Sequence, residues 1–323
     1  MKRCAFLVVA IFHLMIAGAA SAQEPAKQYH IGIISSGGNP RSATFYVAFE
    51  DRLRELGWVD GKNLAIHFES GDSPSQLSTI ASRMVQRRVD AIVVVGPEAA
   101  LKAASAATRI IPIVSIALNY DPVGKGYVTS LARPGRNITG VFFQNPEIGP
   151  KQLEFLLLAM PRANRVGVLW TGFSADQIPP LDAAASRLRI RLEKVNLASP
   201  YDIEGTIAAL KAKRVDALLA VGDPVVYRER AKIAKLALEQ GLATVGGLSY
   251  VDVGFLMGFG PDLNAALKSG AEYVDKVLRG AKAEELPIEQ PTKFELMVNL
   301  KTATALGITI PQSLLLRADR VIR

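Results

Sequence analysis

The sequence is poor in the residues that build covalent or metal frameworks: 323 residues include one cysteine and three histidines. A single cysteine closes no intrachain disulfide, and Cys4 sits at the extreme N-terminus, so thiol catalysis and cysteine-ligated metal are excluded for the body of the chain. Two histidines, His30 and His67, remain beyond the first 22 residues, too few for a His-rich metal site. The nucleophile elbow G-x-S-x-G, the phosphate loop G-x-x-x-x-G-K-[ST] and the zinc pair H-E-x-x-H are all missing. No G-x-G-x-x-G follows the first predicted strand, which excludes the dinucleotide fingerprint. These absences predict no enzyme and no cofactor. Charge of one sign is in mild excess, with 38 Lys and Arg against 30 Asp and Glu, for a net charge of +8.

Only one stretch is long and apolar, and it lies at the start. Lys2 and Arg3 precede an apolar run from Ala5 to Gly18, and Ala20-Ser21-Ala22 forms the small-residue pattern of a signal-peptidase site. The run of about 14 residues falls short of the roughly 20 that span a bilayer, so residues 1–22 read as a signal peptide cleaved after Ala22. Cleavage predicts a mature chain of 323 less 22, or 301, residues, and loss of Lys2 and Arg3 lowers the charge from +8 to +6. Export predicts a periplasmic protein without nucleic acid as partner.

What is present is a repeat. Arg88-Val-Asp-Ala-Ile-Val-Val-Val-Gly96 recurs as Arg214-Val-Asp-Ala-Leu-Leu-Ala-Val-Gly222, an offset of 126. Upstream, Ser73-Pro74 with Leu77 and Met84 aligns at the same offset with Ser199-Pro200, Ile203 and Leu210. Each copy reads as a Ser-capped helix with Pro in its first turn, then a buried parallel strand ending at Gly. His30–Gly37 resembles Arg165–Gly172, and Ile111–Leu118 resembles Leu242–Ser249. In the first half Phe45, Phe49, Leu53 and Leu56 make a helical stripe after a possible Ser42 cap, and residues 63–69 alternate as a strand.

Strands alternating with helices predict an α/β chain of two similar Rossmann-like lobes with parallel sheets. The tail adds a strand at 254–260, a helix at 262–279, a linker with Pro287 and Pro291, a strand at 294–299 and a helix at 300–306. These spare elements predict a three-crossing hinge near 141–145, 250–254 and 281–292. Lobe 1 is then 23–142 plus 254–282, lobe 2 is 143–253 plus 283–323, and a ligand cleft lies between them at the strands' carboxyl ends.

Four segments carry a family resemblance: residues 49–58 (FEDRLRELGW), 121–124 (DPVG), 130–140 (SLARPGRNITG) and 286–299 (LPIEQPTKFELMVN). The chain resembles the substrate-binding proteins of ABC transporters, of the tryptophan- and tyrosine-binding type. That resemblance implies the type I periplasmic-binding-protein fold and capture of a small molecule for the membrane permease of an ABC importer. Where the family carries a Tyr before a Gly in the segment near 257–260, this chain has Phe259.

The candidate ligand residues stand at strand ends. Ser35, Ser36, Gly37 and Gly38 precede a helix, where hydroxyls and free N–H groups suit a carboxylate or form a capped turn. Gly96, Pro97 and Glu98 open the next helix, and their repeat mates Gly222, Asp223 and Pro224 face them, with Asp223 either meeting an ammonium or serving as an N-cap. Asn119 and Asp121 end one strand, Ser249 and Tyr250 its counterpart, and Phe259 lies on the tail strand. Trp170, followed by Thr171, takes the place of Ser35 in lobe 2 and either stacks on a planar ligand or packs internally. Tyr46, Phe142, Phe143, Phe173 and Tyr227 are aromatics read as core or surface before ligand wall, and Asp90 and Asp216, at strand starts, are read as structural.

The best-matching ligand is an aromatic or apolar amino acid, with branched amino acids, aromatic acids and purine-like solutes as alternatives. A monomeric transport receptor is the leading function. A sensory receptor for a membrane kinase or chemoreceptor, and more remotely an exported enzyme, are the alternatives.

Overall fold

A computed structural model describes residues 27–37, 41, 43–118, 120–143, 146–197, 202–291 and 293–323. The predicted signal peptide, Cys4, Gly38, Ser42, Asn119, Ser199 and Pro200 lie outside the described residues.

The first half alternates strand and helix: β1 (Tyr29–Ser36), α1 (Thr44–Glu55), β2 (Leu64–Gly71), α2 (Pro74–Gln86), β3 (Ala91–Gly96), α3 (Glu98–Ala107), β4 (Ile113–Leu118) and β5 (Ile138–Phe143). Its five strands are all parallel, in the order β2-β1-β3-β4-β5. The continuous apolar runs follow from burial on both faces. Ile31 and Ile33 pack beneath Phe45, Phe49 and Leu53 of α1, while Ile34 faces Leu77, Ile80 and Met84 of α2.

The second half repeats the plan: α4 (Ile148–Ala159), β6 (Arg165–Trp170), a 3-10 turn over Gly172–Gln177, α5 (Ile178–Leu188), β7 (Arg191–Asn196), α6 (Ile203–Ala212), β8 (Ala217–Ala220), α7 (Pro224–Glu239), β9 (Ala243–Gly246) and the short α8 (Leu248–Val251). The repeat reaches hydrogen-bond detail. Asp90 Oδ2 accepts the His30 N–H at 2.7 Å and Asp216 Oδ2 accepts the Arg165 N–H at 2.9 Å, so each Asp ties the start of its strand to the neighbouring one. Arg88 and Arg214, just after helices α2 and α6, both take left-handed backbone with φ of 53° and 56°.

The tail departs from expectation at one strand. β10 (Met257–Pro261) pairs in parallel with β9, so residues 254–260 belong to the second sheet and not to lobe 1. The connection from β9 is too short and too well tied for a crossing: Leu256 N–H donates to Thr244 Oγ1 at 3.1 Å, and Asn299 N–H donates to the Leu256 carbonyl at 2.8 Å. The chain crosses at 261–263 instead. Helix α9 (Leu263–Leu278) then lies on lobe 1, where Leu267, Ala271 and Val274 join the Phe49–Leu53 cluster and Trp58 Nε1 donates to Asp275 at 2.8 Å.

On the way back, Glu289 pairs along Gly140 and Phe142 at the edge of β5. β11 (Phe294–Asn299), α10 (Leu300–Ala305), α11 (Gln312–Leu315) and β12 (Arg320–Ile322) complete lobe 2. The second sheet has the order β12-β11-β10-β9-β8-β6-β7, with only the β10–β11 pair antiparallel. The predicted Ser199 cap is replaced by Asp202, whose Oδ1 accepts the Gly205 N–H at 2.8 Å to start α6.

Candidate functional site

The carboxyl ends of the two sheets face each other and the lobes touch. Gly37, with φ of 75°, is packed so tightly that a Cβ there would stand 2.6 Å from Pro224 Cβ of the opposite lobe. Phe45 of lobe 1 and Tyr227 of lobe 2 meet with ring centroids 5.2 Å apart. One apolar cluster therefore runs from the α1 face of lobe 1 through this contact into lobe 2.

A cavity of about 250 Å³ lies between the lobes. Lobe 1 contributes Ser35, Ser36, Thr44, Phe45, Tyr46, Gly96 and Pro97, and lobe 2 contributes Gln152, Asp223, Tyr227, Tyr250 and Phe259, among others. The volume sits just under the lower end for small-molecule sites, which suits a single small solute and not an oligomer. Its aromatic wall comes from first helical turns: Phe45 and Tyr46 open α1, Tyr227 opens α7, and Tyr250 lies on α8. The rings form a chain, with Phe45 to Tyr46 at 4.4 Å and Tyr227 to Tyr250 at 6.1 Å. Burial pushes the Tyr46 and Tyr250 phenols above their ordinary range, so both stay neutral donors. Gln152 donates Nε2 to the carbonyls of Gly246 at 2.9 Å and Phe259 at 2.8 Å, tying β10 to β9.

Lobe 1 offers donors here. The N-cap of α1 is Ala43 and that of α3 is Pro97, and among the described residues no side chain caps the first backbone N–H groups of either helix. Lobe 2 differs, because α7 is capped by Asp223. Its Oδ1 accepts the N–H groups of Val225 at 2.8 Å and Val226 at 3.2 Å, and its Oδ2 accepts the Thr171 N–H at 3.1 Å, the Thr171 hydroxyl at 2.6 Å and the Ser174 hydroxyl at 2.6 Å. Asp223 lines the cavity, but both its oxygens are spent within lobe 2.

Of the sequence candidates, Ser35, Ser36, Gly96, Pro97, Asp223, Tyr250 and Phe259 come together at this cavity. Gly37 is at the lobe contact. Glu98 and Thr171 line a second, more open groove of about 730 Å³ on the other side of that contact. Glu98 is held there by the Tyr127 hydroxyl at 2.9 Å and Lys125 at 3.0 Å. Asp121 accepts the Val123 N–H at 2.9 Å inside its own turn and borders neither cavity.

Trp170 also borders neither cavity, which corrects the stacking reading: it packs against the apolar cluster of Leu153, Val168 and Leu181. The position matches Ser35 in sequence, but a strand's last side chain points to one face of the sheet, and for Trp170 that face is covered by helices α4 and α5. Tyr46 and Tyr227, read from sequence as core or surface, form the wall instead. The signal for them was their place in the first turn of helices that begin at the cleft.

A family model described as ABC transporter substrate binding protein matches residues 31–322. The chain belongs to that family. It is 27% identical over 288 residues to the tyrosine-binding protein of Clostridioides difficile, covering 87% of this chain and 82% of the relative. An ABC domain from Streptococcus pneumoniae solved in complex with L-Trp is 26% identical, with a TM-score of 0.79, over 92% of this chain and all of the other. A branched-chain amino acid transporter substrate-binding protein from the same species, in complex with isoleucine, shares the fold at 19% identity and a TM-score of 0.54, over 80% of this chain and 86% of the other. The substrate-binding protein thus has the type I periplasmic-binding-protein fold. Among the described residues no helix is long and apolar enough to cross a membrane, and no group of three or more His, Cys, Asp or Glu could hold a metal ion.

Proposed function

We propose that this substrate-binding protein captures a small aromatic solute carrying a carboxylate, the class to which the tyrosine and tryptophan of its relatives belong, and delivers it to an ABC importer. The observation that carries the reading is the cavity itself. Two lobes close on a space sized for one small molecule, walled by Phe45, Tyr46, Tyr227 and Tyr250, with hydroxyls and open helix N-termini on the lobe 1 side. Aromatic rings contribute stacking and apolar burial, and N-terminal N–H groups favour an anion.

Ligand bridging both lobes shifts the population toward the closed shape, and that shape is what a membrane permease distinguishes from the open one. The site works outside the cytoplasmic membrane, on a periplasmic monomer released from its signal peptide after Ala22.

A thermal-shift screen of refolded protein against aromatic acids, aromatic amino acids, branched amino acids and nucleobases tests this. A ligand at 100 times its dissociation constant adds about 2.7 kcal/mol, a rise of several degrees. Stabilisation confined to branched amino acids or nucleobases, or no stabilisation by any aromatic carboxylate, would overturn the reading.

A further inference from the structure

We propose that the cavity prefers an aromatic carboxylate without an ammonium group over the corresponding α-amino acid. The inference rests on the aromatic-carboxylate reading above and narrows it. In an α-amino acid the ammonium and the carboxylate sit on the same carbon, so both charges must be met at one end of the site. A buried charge needs a partner.

The cavity's unengaged side-chain groups suit an anion better than a cation. Four carboxylates border it: Asp223, Asp252, Asp262 and Glu295. Asp223 alone is buried, and its two oxygens already accept five N–H and O–H donors from lobe 2. Asp262 is exposed and caps α9 by accepting from Asn264 at 2.9 Å and Ala265 at 3.2 Å. Glu295 pairs with Lys293 at 2.6 Å on the edge-side strand β11, and Asp252 is exposed after α8. The one fully buried carboxylate is thus spent, and the next most buried, Glu295, is already paired through Oε1 with Lys293.

Donors, in contrast, are in surplus. The Tyr227 hydroxyl is buried on the cavity wall without a hydrogen-bond partner among the described residues. The Tyr46 hydroxyl is buried beside Ser35 without completing a hydrogen bond. The Arg230 guanidinium lies 3.9 Å from the Tyr227 ring centroid, behind that wall, and adds positive potential. Two phenol O–H groups, the uncapped N-terminus of α1 and a half-buried guanidinium lower the free energy of an anion and raise that of an ammonium. The ligand that satisfies this set presents a carboxylate to lobe 1 and Tyr227, and only carbon and hydrogen next to it.

The test is titration calorimetry on the refolded protein with matched pairs: 3-(4-hydroxyphenyl)propanoate against L-tyrosine, 3-phenylpropanoate against L-phenylalanine and indole-3-propionate against L-tryptophan, with tyramine as the amine-only control. The expected result is at least tenfold tighter binding of the propanoate in the tightest-binding pair and no tyramine binding. A smaller preference, or tighter binding of the amino acid, overturns the inference while leaving aromatic-carboxylate capture standing. Failure of all six acids to bind, or binding of tyramine alone, overturns both. Tyr227→Phe, which keeps the ring, is expected to weaken propanoate binding at least fivefold with an unchanged melting temperature of the ligand-free protein. Unchanged affinity would remove that hydroxyl from carboxylate recognition.

Discussion

Arg228 Nη1 donates to the Gly37 carbonyl oxygen at 2.6 Å, joining a helix of lobe 2 to the end of the first strand of lobe 1. The same nitrogen lies 3.3 Å from Asp72 Oδ1, so one guanidinium holds a lobe 1 carbonyl and a lobe 1 carboxylate across the cleft. Both contacts join the two lobes, so separating the lobes would break them.

Arg228→Ala is expected to weaken ligand binding five- to tenfold, about 1–1.5 kcal/mol, a partly solvated charge-assisted bond being worth less than a buried one. The loss should appear as faster ligand release in stopped-flow fluorescence, with the melting temperature of the ligand-free protein little changed. An unaltered release rate would mean that the bridge does not help hold the lobes shut.

Trp170→Ala is expected to destabilise the protein by about 3 kcal/mol, the low end for truncating a core aromatic, because the ring packs with Leu153, Val168 and Leu181. Ligand affinity per folded molecule should stay the same. Calorimetry showing weaker binding at full stability would return Trp170 to the binding site.

Asp223→Asn should cost folding stability, roughly 2–3 kcal/mol, because an amide nitrogen would be turned toward groups that all donate. Binding of amine-bearing and amine-free ligands should fall equally, if at all. A selective loss of amine-bearing ligands would show that the carboxylate meets an ammonium after all.

Acid should weaken the fold through His67. Its ring stacks on His30 at 5.4 Å with His67 Nε2 and His30 Nδ1 3.1 Å apart, and burial, then the charge of Arg87, then His30, hold its pKa below the ordinary 6.5. Because the unfolded chain takes up the proton first, the contribution is complete above about pH 6.5 and is lost as pH falls through the lowered folded value. His67→Gln should flatten urea midpoints measured between pH 7.5 and 5. An unchanged slope would assign the acid sensitivity elsewhere.

Much of the fold is written in local pattern. The nine-residue repeat at Arg88 and Arg214, the apolar runs ending at Gly96 and Gly222, and the stripe at Phe45, Phe49 and Leu53 specify strand, helix and the duplicated lobe, because buried parallel strands and amphipathic helices leave that signature in the chain. The same pattern placed Ser35, Ser36, Gly96 and Pro97 at the cleft, since strand ends in parallel sheets converge there.

Three matters were decided only by tertiary contact. A strand's sequence does not name its neighbour, so residues 257–261 could serve either sheet until the Thr244 and Asn299 bonds fixed them beside β9. Nor does sequence say which aromatic ring lines the cavity between the lobes. Trp170 and Tyr227 are both aromatics beside strand ends, but α4 and α5 cover one while the opposite lobe's Phe45 meets the other. The N-cap role of Asp223 was one of two readings open in the sequence, but only the fold brings the Thr171 and Ser174 hydroxyls within 2.6 Å of its other oxygen.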